Sequence, residues 1–286
     1  MNTVILIPAR FQSTRYPGKP LVELKGAGGT AKPLIQRSVE AARKVEGVSG
    51  VFVVTDDDRI AANCTGFGVG VIMTSSECRN GTERYAEALA QLHDPDLVIN
   101  FQGDALLTPP GFVEALIARM AEDCDVEVAT PALGLRSDEV RTLQAEEAAG
   151  RVGGTSVVTD HAGRALYFSK RLIPYLPAGA LDREMSPVRL HVGVYAYRPS
   201  ALQRYVAAPV SEIEQLEGLE QLRFLAEGIP VAVSKSRLRH SRFASSTIPR
   251  MSRRSSRRSP KRGLSDAGLA RPQIPLDPLR RVGRDP

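Results

Sequence analysis

The sequence predicts a three-layer α/β fold in which a mixed, mainly parallel sheet lies between two layers of helices. Short β-branched runs alternate with helical segments of about 10 to 15 residues through the first part of the chain. Such alternation is typical of βαβ units and a parallel sheet. The length of 286 residues suits one large domain or two small ones. We therefore look for functional loops at the carboxyl edge of the sheet.

The first half of the chain supplies the parallel strands and their connecting helices. Each predicted strand is a short continuous apolar run, as expected for a strand buried on both faces. The predicted strands lie at residues 4–7, 51–54, 70–73 and 97–101, and the predicted helices at 33–45, from 59 onward, at 83–92 and from 110 onward. Polar loops follow the first and fourth strands, so these loops are the first candidates for a ligand site.

The second half has a different pattern. Residues 157–169 form two β-runs around an Asp-His-Ala-Gly turn, which predicts a hairpin. Residues 191–197 alternate as one further strand, and residues 214–226 have the apolar spacing of an amphipathic helix. Residues 230–233 predict a last strand.

Charge divides the chain into a predicted globular domain at 1–238 and a basic tail at 239–286. Residues 236–286 hold 14 Lys and Arg against 3 Asp and Glu, a local charge of +11. Because the whole chain carries +6, residues 1–235 carry −5. The tail is rich in Ser, Arg and Pro, which predicts disorder. Its basic run has no interleaved aromatic residues and the tail has no recognised binding module, so we expect no nucleic-acid partner.

Composition excludes several further classes. No apolar run approaches the roughly 18 residues of a membrane span. The N-terminus has no basic region and its apolar run breaks at Pro8, which argues against a secretory signal. Cys64, Cys78 and Cys124 form no CxxC pair, so neither a disulfide framework nor a zinc site is expected. We expect all three to be buried thiols in a reducing cytoplasm, with one nucleophilic cysteine as the alternative.

The loop at 8–20 has the composition of a phosphate site. It holds Arg10, Arg15 and Lys19 together with Ser13. Clustered cations beside backbone N–H donors are what a polyphosphate needs. Pro20 follows Lys19, so the loop is not a P-loop. The alternative is a solvated basic turn.

The segment 102–104 places the carboxylate of Asp104 after the fourth strand, opposite the basic loop. A carboxylate in that position can hold Mg²⁺ that bridges nucleotide phosphates. The alternative is that Asp104 caps the helix that begins at Pro110.

The segment 80–84 is a helix start that can face a base. In this interpretation Thr82 caps the helix while Asn80 and Arg84 point toward the ligand. The alternative is a plain helix cap with no ligand.

Taken together and in this order, these segments resemble the family of 3-deoxy-manno-octulosonate cytidylyltransferases, the CMP-Kdo synthetases. The family pattern is a strand followed by PAR-x-x-STR-x-PGKPL, then VVTDD, GTER and a VN-x-QGD strand end. All four motifs occur here, the last as INFQGD at 99–104. Later matches are ALYFSK at 165–170, LHVGVYAYR at 190–198 and LEQLRFL at 219–225. The resemblance covers residues 3–235.

The resemblance implies a nucleotidyltransferase-type fold and a reaction. CTP and Kdo, an acidic eight-carbon 3-deoxy sugar, give CMP-Kdo and pyrophosphate with Mg²⁺, for lipopolysaccharide or surface polysaccharide synthesis in the cytoplasm. It also implies a homodimer whose interface is a smaller β-rich subregion within 150–205.

The resemblance further assigns roles to individual positions. The implied catalytic residues are Arg10 and Lys19, which contact phosphates, and Asp104, which holds the metal. The implied substrate-binding residues are Ser13, Arg15, Gly81, Arg84, Gln102, His191, Tyr195, Glu220 and Gln221. Without the resemblance, His191 would be interpreted as a core histidine, and Glu220 and Gln221 as the polar face of a helix.

Three departures from the family pattern leave the exact sugar open. Ala105 and Leu106 stand where the family has Glu-Pro. Residues 26–32 form an insertion, and residues 152–156 replace a segment that often carries a Lys. A related acidic sugar, amino-substituted or nonulosonic, is therefore the alternative substrate.

The end of the chain departs most. The family continues into a segment like DTPEDL, whose first Asp is a second metal ligand, and then a final helix. With one choice of GC-rich codons, residues 244–252 back-translate so that the neighbouring register encodes ELNNPEDV. We interpret 239–286 as a frameshifted reading of the family's C-terminus. The alternative to an active enzyme is then a weakly active or inactive remnant.

Overall fold

The computed structural model describes residues 1–12, 16–25, 28–103 and 108–235. The predicted tail at 239–286 lies outside these ranges, as do the candidate site residues Ser13, Arg15 and Asp104. The domain boundary near 238 therefore stays a prediction.

Strands and helices alternate through the first half of the chain, as predicted. The strands are β1 (Thr3–Ala9), β2 (Glu23–Lys25), β3 (Ala31–Pro33), β4 (Gly50–Thr55), β5 (Gly70–Met73), β6 (Leu97–Asn100), β7 (Val128–Arg136), β8 (Ser156–Thr159), β9 (Ala165–Ser169), β10 (Met185–His191), β11 (Tyr195–Tyr197) and β12 (Val231–Lys235). The α-helices are α1 (Leu34–Ala42), α2 (Asp58–Gly66), α3 (Gly81–Ala88), α4 (Pro110–Glu122), α5 (Ser137–Ala148), α6 (Pro199–Ala207), α7 (Glu212–Glu217) and α8 (Leu222–Ala226).

One large sheet has two halves with different strand directions. Its order is β5-β4-β1-β6-β11-β7-β10-β8-β9, with β12 also paired to β7. β5, β4, β1 and β6 run parallel, whereas β11 runs antiparallel to both β6 and β7. β8 and β9 form the predicted hairpin. The mixed sheet, parallel through its first half, is confirmed.

The sheet is buried on both faces, which explains the continuous apolar runs. In β1, Ile5 and Ile7 belong to one core and Val4 and Leu6 to the other, because successive side chains point to opposite faces. The first core includes residues of α1, α2 and α4, and the second includes residues of α3, α6 and α8. The predicted three layers are therefore present.

The strand predicted at 191–197 is interrupted, which corrects the prediction of one continuous strand. β10 ends at His191 and β11 begins at Tyr195. The hydroxyl of Thr130 lies 3.2 Å from the carbonyl oxygen of Val192 and 2.8 Å from that of Val194. A side chain thus bonds these carbonyls at the interruption.

The helix predicted at 214–226 is likewise two helices. α7 ends at Glu217, Gly218 adopts a left-handed φ of 57°, and α8 begins at Leu222. A left-handed glycine commonly ends a helix, so Gly218 is the sequence feature that indicates the break between α7 and α8.

Several elements are not predicted from the sequence. They are β2 and β3, β7 and α5 within 128–148, β10 before His191, and α6 after Arg198. Pro131 and Gly134 disrupt the β-pattern of β7, although its neighbours on both sides bury it. The last two residues of the insertion at 26–32 belong to β3, which pairs with β2 as a separate antiparallel ribbon.

Candidate active site

A cavity of about 530 Å³ lies where the carboxyl ends of β1 and β6 meet the antiparallel half of the sheet. Most of the positions implied by the resemblance line it. They are Arg10, Gly81, Gln102, His191, Tyr195, Glu220 and Gln221. Residues from both halves of the chain therefore meet in one place.

Arg10 is held by the backbone of a neighbouring loop. Its guanidinium donates to the carbonyl oxygen of Cys78 at 2.7 Å and to that of Arg79 at 3.3 Å. These two bonds fix the orientation of the planar group at the edge of the cavity. A guanidinium has five N–H donors, so one held in this way can still bind a phosphate or carboxylate.

The glycine of the QGD motif permits a close approach between β1 and the end of β6. A Cβ at Gly103 would lie 2.7 Å from the carbonyl oxygen of Pro8. The hydroxyl of Ser38 donates to the Gly103 carbonyl at 2.6 Å. Only glycine fits this position, which sets the spacing between the basic loop and Gln102.

The described part of the basic loop is pinned around Phe11. Gly18 has a left-handed φ of 72° and donates its N–H to the Phe11 carbonyl at 2.8 Å. The guanidinium of Arg59 stacks over the Phe11 ring at 3.3 Å. Lys19 is exposed at the start of a 3₁₀ turn and does not line the cavity.

No metal cage is present among the residues that the structure describes: they contain no group of three His, Cys, Asp or Glu side chains placed to hold an ion. The implied ligand Asp104 lies outside the described residues. Pro109 occupies the N-cap position of α4, so the alternative of Asp104 as the N-cap is wrong.

The start of α3 differs from the sequence interpretation. Asn80, not Thr82, is the N-cap, and its side chain accepts from the Glu83 N–H at 2.9 Å. Arg84 does not line the cavity: it is fully buried, donates to the Thr74 hydroxyl and lies 3.4 Å from Asp56. Arg84 therefore lies beside Thr74 and Asp56 in the interior, not at the cavity.

His191 is neutral at the cavity wall. Its Nε2 lies 2.9 Å from the Thr130 hydroxyl, and its ring contacts Phe168 and Tyr195. Burial lowers the pKa of His191 to about 3, because the charged form would lose its hydration. A neutral imidazole can accept or donate a hydrogen bond without adding charge.

Glu220 and Gln221 lie in the turn between α7 and α8. Glu220 accepts from the Thr82 N–H of α3 at 3.3 Å, and burial raises its pKa. Gln221 is 4% exposed. The break at Gly218 turns these side chains toward the cavity. In a continuous helix they would lie on its solvent-exposed face.

Sequence reasoning missed a supporting hydrogen-bond network beneath Gln102. Tyr85 donates to the side-chain oxygen of Asn100 at 2.8 Å, and Gln102 donates to the same oxygen at 3.4 Å. Tyr85 is fully buried and lies at a core-facing position of α3. In the sequence its spacing indicates only a core residue.

Two of the cysteine predictions hold and one is wrong. Cys64 and Cys78 are buried, and burial raises both pKa values to about 11, which disfavours a reactive thiolate. Cys124 is exposed just after α4.

The match to known proteins agrees with this architecture. Residues 4–236 match the family model described as Cytidylyltransferase. The chain belongs to the cytidylyltransferase family. It is 40% identical to 3-deoxy-manno-octulosonate cytidylyltransferase of Maricaulis maris over 234 residues, 82% of this chain and 87% of that protein. It is equally 40% identical to 8-amino-3,8-dideoxy-manno-octulosonate cytidylyltransferase of Shewanella piezotolerans, covering 82% and 91% of the two chains.

Solved structures give the same result for the fold. The structure of a CMP:2-keto-3-deoxy-manno-octonic acid synthetase complexed with CTP matches with a TM-score of 0.71 and 38% identity, over 82% of this chain and 90% of that one. A cytidylyltransferase from Leptospira borgpetersenii, 16% identical, matches with a TM-score of 0.52 and supports the fold alone. The protein is thus a sugar cytidylyltransferase. No helix in the described ranges is long and apolar enough to span a bilayer.

Proposed function

We propose that the protein transfers the cytidylyl group of CTP to Kdo, supplying CMP-Kdo for lipopolysaccharide or surface polysaccharide synthesis. The observation that carries the proposal is the shared cavity. Arg10 and Gln102 reach it from the parallel half of the sheet, whereas His191, Tyr195 and Glu220 reach it from the antiparallel half and the α7–α8 turn. A transferase needs two substrates side by side, and this arrangement offers two different walls.

In the proposed reaction the anomeric hydroxyl of the sugar attacks the α-phosphorus of CTP. The hydroxyl releases its proton to water as the new O–P bond forms, and pyrophosphate leaves with the electrons of the broken P–O bond. Such chemistry asks mainly for alignment and for stabilisation of phosphate charge. We call the side of the cavity formed by Arg10 and Gln102 the nucleotide wall. Arg10, oriented by two carbonyls, supplies a fixed positive charge there.

We call the side of the cavity formed by His191, Tyr195, Glu220 and Gln221 the sugar wall. This wall is suited to a polyhydroxylated ligand. Neutral His191, buried Gln221 and the Tyr195 hydroxyl offer donors and acceptors without adding charge. Glu220 adds a carboxylate acceptor. Buried polar groups that lose their partners are costly, so such a wall discriminates between sugars by their hydroxyl pattern.

An 8-amino derivative of Kdo is the second candidate substrate. The equal identity to the relatives from Maricaulis maris and Shewanella piezotolerans favours neither sugar. Purified full-length protein is incubated with CTP, MgCl₂ and either sugar, and pyrophosphate and the CMP-sugar are measured. Turnover with Kdo supports the proposal. Turnover with only the 8-amino sugar moves the assignment to that substrate, and inactivity with both contradicts it.

The proposal extends to Mg²⁺ and to the basic loop. When bound to the triphosphate, Mg²⁺ neutralises phosphate charge, and one or two carboxylates are enough to hold it there. We assign that carboxylate to Asp104, with Ser13, Arg15 and Lys19 as phosphate contacts. The assignment rests on the sequence motifs.

Asp104→Asn tests the metal assignment. We expect a rate loss of about 10³-fold or more with an unchanged melting temperature, because a ligand that neutralises transition-state charge is removed. The matched control is Asp182→Asn, which changes an exposed carboxylate outside the cavity. Turnover of Asp104→Asn within tenfold of wild type contradicts the assignment.

We also propose a homodimer formed through the subregion at 150–205. The proposal rests on the family resemblance, and Val152, Leu166 and Tyr175, which are 63%, 63% and 87% exposed, lie in this stretch of the sequence. Sedimentation of wild type and Leu166→Asp checks it. A monomeric wild type contradicts the proposal.

A further inference from the structure

A closed ring of polar contacts lies behind the sugar wall. It joins Asn80, Glu83, Tyr205, Glu214 and Arg223, which lie on or beside α3, α6, α7 and α8. Of these five, only Asn80 lines the cavity.

The contacts follow one another around the ring. Asn80 Nδ2 donates to Tyr205 Oη at 2.9 Å, and Tyr205 Oη donates to Glu214 Oε1 at 3.3 Å. Arg223 donates from Nε and Nη2 to the two oxygens of Glu214 at 2.7 and 2.8 Å. Arg223 Nη1 donates to Glu83 Oε1 at 3.3 Å. The backbone N–H of Glu83 donates to Asn80 Oδ1 at 2.9 Å, which closes the ring.

Arg223 is the centre of the ring. It is 1% exposed, and its guanidinium lies 4.0 Å over the Tyr205 ring. Burying a guanidinium is costly unless it is paired, and Glu214 and Glu83 provide that pairing. A buried ion pair is weak evidence for stability, because well-packed apolar residues often serve as well. The role of the Arg223 ion pairs therefore follows from the positions of the paired residues and not from their contribution to stability.

The Glu214–Arg223 pair forms a clasp across the turn that carries the sugar-site residues. Glu214 lies on α7 before the turn, and Arg223 lies on α8 after it. The clasp closes over residues 218–221, which include Glu220 and Gln221. The link from Arg223 to Glu83 ties the same turn to α3, whose Thr82 N–H bonds Glu220.

We propose that Arg223 is a positioning residue for the sugar site: the clasp with Glu214 holds the 218–221 turn, and the bond to Glu83 sets its distance from α3. This inference rests on the proposed function. It requires an arginine, because only a planar group can bond both oxygens of Glu214 and still reach Glu83, whereas lysine is a point charge. Arg223 does not line the cavity, and it acts through Glu220 and Gln221.

The test compares Arg223→Lys with Arg204→Lys in the full chain. Arg204 also pairs with a carboxylate, Glu127 at 2.7 Å, but it is half exposed on α6 and does not line the cavity. We expect Arg223→Lys to raise the KM for Kdo about tenfold while the KM for CTP stays within twofold. We expect Arg204→Lys to leave both values unchanged. An equal change in both KM values, or none, overturns the inference.

Hydrogen exchange provides a second measurement that does not depend on turnover. We expect faster exchange of the amides at 218–223 in Arg223→Lys than in wild type or Arg204→Lys. If wild type is inactive with both sugars but this exchange difference is present, the proposed function fails and the clasp stands. Unchanged exchange overturns the clasp whatever the activity. Arg223→Met removes the charge and the hydrogen bonds together: full protection of 218–223 in that variant, measured in the same way, also contradicts the inference.

Discussion

The two walls of the cavity are built in different ways. On the nucleotide wall, Arg10 and Gln102 come directly after β1 and β6, where parallel strands end together. On the sugar wall, His191 and Tyr195 flank an interruption between β10 and β11, and Glu220 and Gln221 lie in a break between α7 and α8. One wall uses the regular edge of the sheet, and the other uses irregularities of its elements.

The difference teaches where site residues can be expected. Parallel strands deliver their following loops to one edge as a consequence of topology, so the nucleotide wall needs no special local structure. The sugar wall needs specific side chains or a glycine to stabilise the backbone at each interruption. Thr130 bonds the carbonyls between β10 and β11, and Gly218 with the Glu214–Arg223 clasp shapes the turn between α7 and α8.

Among the variants that test this comparison of the two walls, the largest effect is expected from Gly103→Ala on the nucleotide wall. The new Cβ would lie 2.7 Å from the Pro8 carbonyl, so the ends of β1 and β6 must separate. A displacement of about 1 Å in a reacting geometry can cost about 10²-fold in rate. We therefore expect kcat/KM to fall about 10²-fold. Gly134→Ala is the control, because its Cβ meets only Met185 Cε at 3.6 Å. If Gly103→Ala is as active as Gly134→Ala, the close approach of Gly103 to the Pro8 carbonyl is not required.

A second pair of variants separates the walls by substrate. Arg10→Ala should weaken use of CTP about 10- to 100-fold, since a charge-assisted hydrogen bond contributes about 1.5–3 kcal/mol. Gln221→Ala should weaken use of the sugar about 2- to 10-fold, as expected for a neutral hydrogen bond. Apparent KM values for each substrate are measured in both variants. If Arg10→Ala affects only the sugar, the two walls have been assigned the wrong way round.

The sequence predicts the two walls unequally, for the same physical reason. The strands around β1 and the loop positions of Arg10 and Gln102 follow from apolar periodicity and the polar residues that end each run. His191 and Glu220 were identified only through the family resemblance, because their local patterns indicate a continuous strand and a continuous helix. The ion pair of Arg84 with Asp56 and the bond from Arg223 to Glu83 are not predictable from the sequence, since each joins residues that are far apart in the chain.

The turn itself is tested by Gly218→Ala. Gly218 has a φ of 57°, and a Cβ there would lie 2.8 Å from Lys170 Nζ. The flexible lysine can move away, but the left-handed conformation costs alanine about 1–2 kcal/mol. We expect a stability loss of that size in urea unfolding and a raised KM for the sugar alone. Gly228→Ala, also left-handed but outside the cavity lining, is the control for backbone strain. A raised sugar KM in both variants would contradict a local role for Gly218.

The smallest expected effect concerns His191 and the pH dependence of folding. Its pKa of about 3 in the folded protein lies below the value of about 6.5 expected in the unfolded chain. Above pH 6.5 neither state is protonated at this site. As the pH falls below 6.5, the unfolded chain binds a proton that the folded protein does not, so the free energy of unfolding decreases.

A fully shielded imidazole would lose about 2 kcal/mol of stability between pH 6.5 and 5. His191 is only partly shielded by Thr130, Phe168 and Tyr195, so we expect about 1 kcal/mol. His191→Gln removes the titrating group and keeps a donor for Thr130. Urea unfolding at pH 5, 6 and 7 should therefore show a flatter profile for His191→Gln than for wild type. His161→Gln, in the exposed turn between β8 and β9, controls for the loss of an imidazole. Equal slopes for wild type and His191→Gln would mean that the pKa of His191 is the same in the folded and unfolded protein, which contradicts a shielded, neutral imidazole in the sugar wall.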